Sequence, residues 1–207
     1  PEIPVMDGSA EPFVFLIECA GLVEQDTPRA VVHILEPVTV RNGDCVATLE
    51  PAEEFSIQFG IDFDNAVIGR QEISLNLTEP SFKAEICRAR TFGFLHEVES
   101  LREAGLAKGG SLDNAVVLNG DTVMNDGGLR YANEFVRHKV LDCIGDLYRA
   151  GGPIIGSFRG EKTGHALNNE LLRTLFANMN AWTRIRLEPP YDYVADPWVP
   201  EAIAVNA

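Results

Sequence analysis

The segment FVRHKVLDCIGD, residues 135–146, carries the residues of this chain best placed to do chemistry. On a helix, positions four apart share one face, so His138, Asp142 and Asp146 fall on a single stripe. A histidine and an aspartate one turn apart can point at one metal ion, a nitrogen and oxygen donor pair that suits zinc and that iron would accept as well. The same spacing also describes an ordinary exposed helix pair. Gly145 lies in the stripe, where glycine costs about 1 kcal/mol relative to alanine, and this predicts a close neighbour there. His165 opens a second helix in KTGHALNN, three residues after Lys162. A helix N-terminus can tune an imidazole for acid or electrophile work, although a polar helix-start residue is the plainer alternative. A third feature is RTFGFL, residues 90–95, in which Thr91 is flanked by Arg90 and Phe92. Gly93 lets the backbone bend so that Phe92 and Phe94 line one apolar wall; core aromatics on a strand are the other reading.

These residues need elements to hold them. The helix bearing His138 is predicted from a cap at Asn133 to Ala150, where Gly151, Gly152 and Pro153 stop it. A final helix is predicted from His165 or Asn168 to about Trp182, after a buried strand in IIGSF. Upstream, residues 11–21 read as a short apolar helix with Pro12 in its first turn and Gly21 at its end. Runs of β-branched and aromatic residues between 29 and 63 read as antiparallel strands, with a hairpin turn at Asn42-Gly43. Short helices are predicted at about 80–89 and 96–104. A loop-rich insertion at about 106–130 contains a strand from Ala115 to Leu118. Strands followed by mixed strands and helices indicate an α+β protein. The tail, with prolines at 189, 190, 197 and 200, reads as an irregular strand or loop.

Composition sets further bounds. The 207 residues are 45% hydrophobic and carry a net charge of −14, which is the composition of a globular protein with a real core. Broad binding to nucleic acid or to anionic membrane is disfavoured, because both require clustered positive charge. No stretch approaches the roughly 18 to 20 apolar residues of a membrane span. Residues 1–82 hold 15 acidic and 3 basic side chains, whereas residues 83–207 hold 16 and 14, so an anionic ligand is expected in the second part. There Arg137, Lys139, Arg159 and Lys162 are expected to flank the site. The four cysteines form no CxxC pair, and reduced thiols are expected. The opening PEIPVMDGSAEPF has no basic n-region and no apolar h-region, and so does not read as a signal peptide. It also lacks an initiator methionine, which suggests part of a longer polypeptide.

The blocks MDGSAEPF, RARTFGFL, GLAKGGSLDNAVV, GLRYANEFVRHKVLDCIGDL and GHALNNELL together resemble the UDP-3-O-acyl-N-acetylglucosamine deacetylases, zinc amidohydrolases of lipid A biosynthesis in Gram-negative bacteria. They occur in the family's order and span nearly the whole chain. The resemblance implies a two-domain α+β sandwich of sheets packed around helices, with residues 1–27 the end of the first domain and 28–207 the second. It also implies a cytoplasmic monomer acting on a UDP-linked acylated glucosamine, with no nucleic acid partner and no membrane insertion.

By that resemblance His138 and Asp142 are two of three zinc ligands. Thr91 helps to stabilise an oxyanion, and His165 acts as general acid, oriented by Asp146. Lys139 and Lys162 lie near the sugar and diphosphate, and Phe63 packs on the uracil. Phe92, Phe94, Val98, Gly110, Ser111, Ala115 and Val117 fall where the family builds its acyl-chain passage. The chain departs from the family pattern in two places. The third ligand, a histidine preceded by the general-base glutamate in a segment resembling TVEHL, has no counterpart here; His33 and His96 lack the preceding glutamate and read as surface residues. Cys45 stands near a position that is basic in many members. The expectation is therefore a deacetylase in the full-length parent, with little turnover from these 207 residues alone. The alternative is a non-catalytic fragment that binds the nucleotide and acyl chain. A different metal hydrolase reusing HxxxD would leave RTFGF and GHALNN unexplained.

Overall fold

The computed structural model describes residues 4–187. In chain order, helix α1 (Glu11–Ala20) precedes five strands, β1 (Arg29–Ile34), β2 (Val38–Asn42), β3 (Cys45–Glu50), β4 (Ser56–Asp62) and β5 (Arg70–Asn76). A short α2 (Glu79–Ser81) continues as a π-helical turn over Phe82–Ile86. Next come β6 (Phe92–Phe94), α3 (Leu95–Glu103), β7 (Val116–Asn119), β8 (Thr122–Val123) and α4 (Glu134–Tyr148). The described chain ends with β9 (Ile154–Ile155), β10 (Ser157–Glu161), α5 (His165–Ala177) and β11 (Trp182–Leu187). The fold is α+β.

A five-stranded sheet, ordered β2-β3-β10-β4-β5, is the platform. Its period-2 alternation puts Val38, Val40, Ala47, Leu49, Ile57, Phe59 and Phe158 inward, all buried, and polar residues such as Thr39, Gln58 and Arg159 outward. The Phe59 and Phe158 rings stack at 6.2 Å between centroids. The inner face is covered by α4 and α5, which also pack on each other. Phe135, Val136, Val140, Cys143 and Leu147 of α4 and Leu167, Leu171, Leu172 and Leu175 of α5 fill that layer. Burial of this apolar stripe orients α4, and the chemical stripe runs along its flank, with His138 itself buried. A second sheet, β11-β1-β9, pairs β1 antiparallel to β11 and parallel to β9. A third, β6-β7-β8, holds the RTFGF segment parallel to β7.

Several expectations need correction. The final helix stops at Ala177, because Asn178 takes extended angles and Trp182 then pairs with Ile34 in β11. IIGSF is two strands in different sheets. Gly156 breaks it at φ +158°, where a Cβ would meet Ile34 Cγ1 at 2.7 Å. The helix expected at 80–89 ends at Ile86 in a π turn, closed by the Cys87 amide donating to the Phe82 carbonyl. Asn133 does not cap α4 with its side chain; its Oδ1 instead accepts from Arg137 Nε at 2.7 Å. The hairpin loop is Gly43-Asp44, since Asn42 already pairs with Cys45. Ala115 precedes β7, which starts at Val116. Gly145 is exposed and faces open space among the described residues, so the close neighbour expected there is not seen. His33 is half-buried on β1, while His96 is exposed and stacks on Phe94.

Most of the proline-rich tail lies outside the described residues. All four cysteines are free. No helix among the described residues is long and apolar enough to cross a membrane.

Candidate active site

Helix α4 brings the buried His138 and the half-buried Asp142 together, as the four-residue spacing requires. His138 Nε2 stands 3.5 Å from Asp142 Oδ1. The ring is nearly buried, and its Nδ1 lies 3.1 Å from the carbonyl oxygen of Ala89. A carbonyl can only accept, so Nδ1 carries the proton and Nε2 keeps its lone pair. Burial, which disfavours the charged ring, outweighs the nearby Asp142 carboxylate and holds the His138 pKa below its ordinary value. Neutral imidazole with a free Nε2 beside a carboxylate oxygen is the donor state a zinc site requires. The residues fit two of its ligands. Among the described residues no group of three or more histidine, cysteine, aspartate or glutamate side chains is placed to complete it.

One turn further along α4, Asp146 meets the start of α5. His165 Nδ1 lies 2.9 Å from Asp146 Oδ2 and 3.0 Å from Oδ1, and Asn168 Nδ2 donates to Oδ2 at 2.9 Å. The His165 side chain is 69% exposed, so with Nδ1 engaged, Nε2 is the nitrogen left to act. Asn168, itself buried, was missed in the sequence; its only signal was the position i+3 from His165 in GHALNN.

Thr91 enters from the other side. Its amide donates to the Gly8 carbonyl at 2.8 Å, and its own carbonyl accepts from the Val116 amide at 2.7 Å. Its backbone is thus clamped between the MDGSAEPF segment and β7, while no hydrogen bond among the described residues uses its hydroxyl. Phe92 follows, with ring contacts edge-on to Phe135 at 5.0 Å, to Phe63 at 5.9 Å and to His138 at 6.2 Å. Phe94 lies 6.4 Å from Phe63. Phe63 is therefore part of the same aromatic cluster as Phe92 and Phe94. Val98 of α3 lies over Gly93, 3.8 Å from where a Cβ would project.

Gly110, Ser111, Ala115 and Val117 trace the loop into β7. The Gly110 carbonyl accepts from Arg102 Nη2 at 2.8 Å, and the Ser111 amide donates to Asn114 Oδ1 at 2.8 Å. A second missed residue, the buried Asn125, ties this loop down by donating to the Leu112 and Ala115 carbonyls and accepting from the Val117 amide.

The cations are less free than expected. Lys139 Nζ sits 3.1 Å from Asp142 Oδ2, and Lys162, at φ +53°, pairs with Asp62 at 2.9 Å. The hydrogen bond to Asp62 raises the Lys162 pKa. Arg137 is engaged by Glu85, Asn133 and the face of Tyr131, and Arg159 lies on the outer face of the large sheet. Neither arginine faces the α4 stripe, so only the two lysines remain near it.

The sequence profile of the UDP-3-O-acyl N-acetylglycosamine deacetylase family matches residues 1–177. The chain belongs to this family. It is 55% identical over 184 residues to a UDP-3-O-acyl-N-acetylglucosamine deacetylase of Acidithiobacillus ferrooxidans, covering 88% of this chain and 60% of the relative. It is 50% identical over 193 residues to the protein of the same description from Stenotrophomonas maltophilia, covering 91% and 63%. The chain thus spans about three-fifths of the length of these relatives.

Proposed function

We propose that the full-length protein carrying this chain deacetylates a UDP-linked 3-O-acylated N-acetylglucosamine, releasing acetate in the cytoplasm as a step of lipid A biosynthesis. The observation that carries the reading is the His138 and Asp142 pair, with Nε2 left free by the Ala89 carbonyl, set beside the Asp146 and His165 pair on one helix face. The relatives' printed names supply the substrate class. His138 and Asp142 would hold zinc, completed by a ligand outside the described residues. Zinc bound there lowers the pKa of a water molecule and polarises the amide carbonyl.

The chain's own residues do the rest. The Thr91 hydroxyl donates to the carbonyl oxygen as negative charge builds on it, a contribution that grows toward the transition state. His165, held by Asp146 through Nδ1, presents Nε2 to protonate the departing glucosamine nitrogen. Phe92, Phe94, Val98 and Val117 offer apolar surface to the acyl chain, while Phe63 borders the same wall. Lys139, paired with Asp142, and Lys162, three residues before His165, are the cations offered to the diphosphate. Both are already paired with carboxylates, so the substrate must compete with Asp142 and Asp62. With a net charge of −14, long-range attraction of the anionic substrate is weak.

The test is acetate release by the full-length protein, with and without zinc, and with a hydroxamate chelator. Zinc-dependent turnover that the chelator abolishes supports the reading, and unchanged activity after zinc removal overturns it. The 207 residues alone are expected to turn over little or no substrate. Tight substrate binding without turnover by the full-length protein would instead support a non-catalytic binding module.

A further inference from the structure

Arg90, the first residue of RTFGF, has no task in the reading above, yet it meets the most fully bonded buried carboxylate among the described residues. Glu134, the first residue of α4, is 1% exposed. Its Oε1 accepts from the Arg90 amide at 3.0 Å and from Arg90 Nε at 2.9 Å. Its Oε2 accepts from Arg90 Nη2 at 3.1 Å and from the Arg130 amide at 2.6 Å. A buried ion pair is weak evidence for stability, because desolvation offsets most of the attraction. Its value must lie in what it positions.

We propose that Glu134 is a positioning residue that sets the tautomer and orientation of His138 and the placement of Thr91. The inference rests on the function proposed above for those two residues. The physical link is a single peptide group. The Ala89 carbonyl and the Arg90 amide belong to one rigid trans plane, in which C=O and N–H point in opposite directions. Glu134 holds the N–H end, and His138 Nδ1 meets the C=O end. Both partners lie on α4 one turn apart, so the plane is pinned at two points of the same helix. If the N–H end were released, the carbonyl could rotate, and Nδ1 would no longer be compelled to carry the proton.

The same carboxylate reaches Thr91 from two directions. Directly, it fixes the residue before Thr91. Through the Arg130 amide it also fixes a residue whose guanidinium binds Asp7 at 2.7 Å and Ser9 at 3.3 Å. Asp7 and Ser9 flank Gly8, whose carbonyl receives the Thr91 amide.

The test uses the full-length protein with Glu134→Gln and, separately, Arg90→Lys, each checked for folding by circular dichroism and thermal melting. Glu134→Gln keeps shape and one acceptor oxygen but loses the charge and replaces the other acceptor with a donor. We expect kcat to fall about 10- to 100-fold with KM within about threefold, and zinc affinity in chelator competition to fall about tenfold, the range for partners that orient a ligand histidine. Nitrogen-15 spectra of the zinc-free protein should show His138 as a single Nδ1–H tautomer in the wild type and a mixture in the variant. A folded Glu134→Gln protein with wild-type kcat, zinc affinity and His138 tautomer overturns the proposal. If the wild type shows no deacetylation, the function reading falls and the tautomer spectra alone decide the role of Glu134.

Discussion

Gly8, in the MDGSAEPF segment, should be one of the least replaceable positions in the chain. It sits at φ +82°, and a Cβ there would lie 2.1 Å from the Asn114 carbonyl oxygen and 3.3 Å from Thr91 Cγ2. Restoring ordinary contact with Asn114 requires a shift of about 1.3 Å in backbone atoms, which no rotamer change can supply. For Gly8→Ala the left-handed backbone costs about 1–2 kcal/mol. Moving the Gly8 or Asn114 backbone loosens the Thr91 amide bond and the adjoining turn, about 0.5–1.5 kcal/mol for each bond lost. With both bonds lost the total is about 2–5 kcal/mol. Gly43→Ala is the control, because Gly43 has φ +57° but nothing within 4 Å of its Cβ direction. It should lose only the backbone part, about 1–2 kcal/mol. Urea unfolding of both variants, with the slope held common, measures the difference. If Gly8→Ala unfolds no more easily than Gly43→Ala, the close approach described here is wrong. In the full-length protein a Thr91 displaced by about 1 Å should also cost about 100-fold in kcat.

Other outcomes follow from the same geometry. Thr91→Val should lower kcat about 100- to 1,000-fold while Thr91→Ser retains most of it, since only the hydroxyl is asked to meet developing charge; equal loss in both would point to packing instead. Asn168→Ala removes one of the donors to Asp146 and should destabilise the fold by about 1–3 kcal/mol. For Glu134, burial alone would raise the pKa, but hydrogen bonds from Arg90, the Arg90 and Arg130 amides and the Arg90 charge hold it below the ordinary 4.5. A carboxylate depressed in the folded state stabilises above its unfolded value and loses that contribution as pH falls through its folded value. Unfolding free energy should therefore fall with acid below about pH 4.5 in the wild type, and less steeply in Glu134→Gln.

How much of this was legible beforehand differs by element. Helix α4 and its stripe were readable because a 3.6-residue period places His138, Asp142 and Asp146 together whatever the rest of the chain does. Helices α1 and α3 were bounded correctly by Pro12, Gly21 and Gly105, which act locally. The end of α5 was misread because the residues after Ala177 are claimed by pairing with β1, a partner almost 150 positions away in the chain. The break at Gly156 was hidden for a similar reason. Its cause is the crowding of Ile34 and Glu50, from strands distant in sequence.

The residue types, their spacing and the ordered blocks by themselves determined the family, the α+β class and the side chains that could serve a metal and an acid. Local periodicity and backbone preference are carried by neighbouring residues, so they survive without a fold. Only the tertiary structure decided the His138 tautomer, the pairing of Lys139 and Lys162 with carboxylates, and the roles of Asn125, Asn168 and Glu134. These depend on which carbonyl, amide or carboxylate arrives from a remote segment, and directional bonds between distant parts of the chain leave no periodic trace in it.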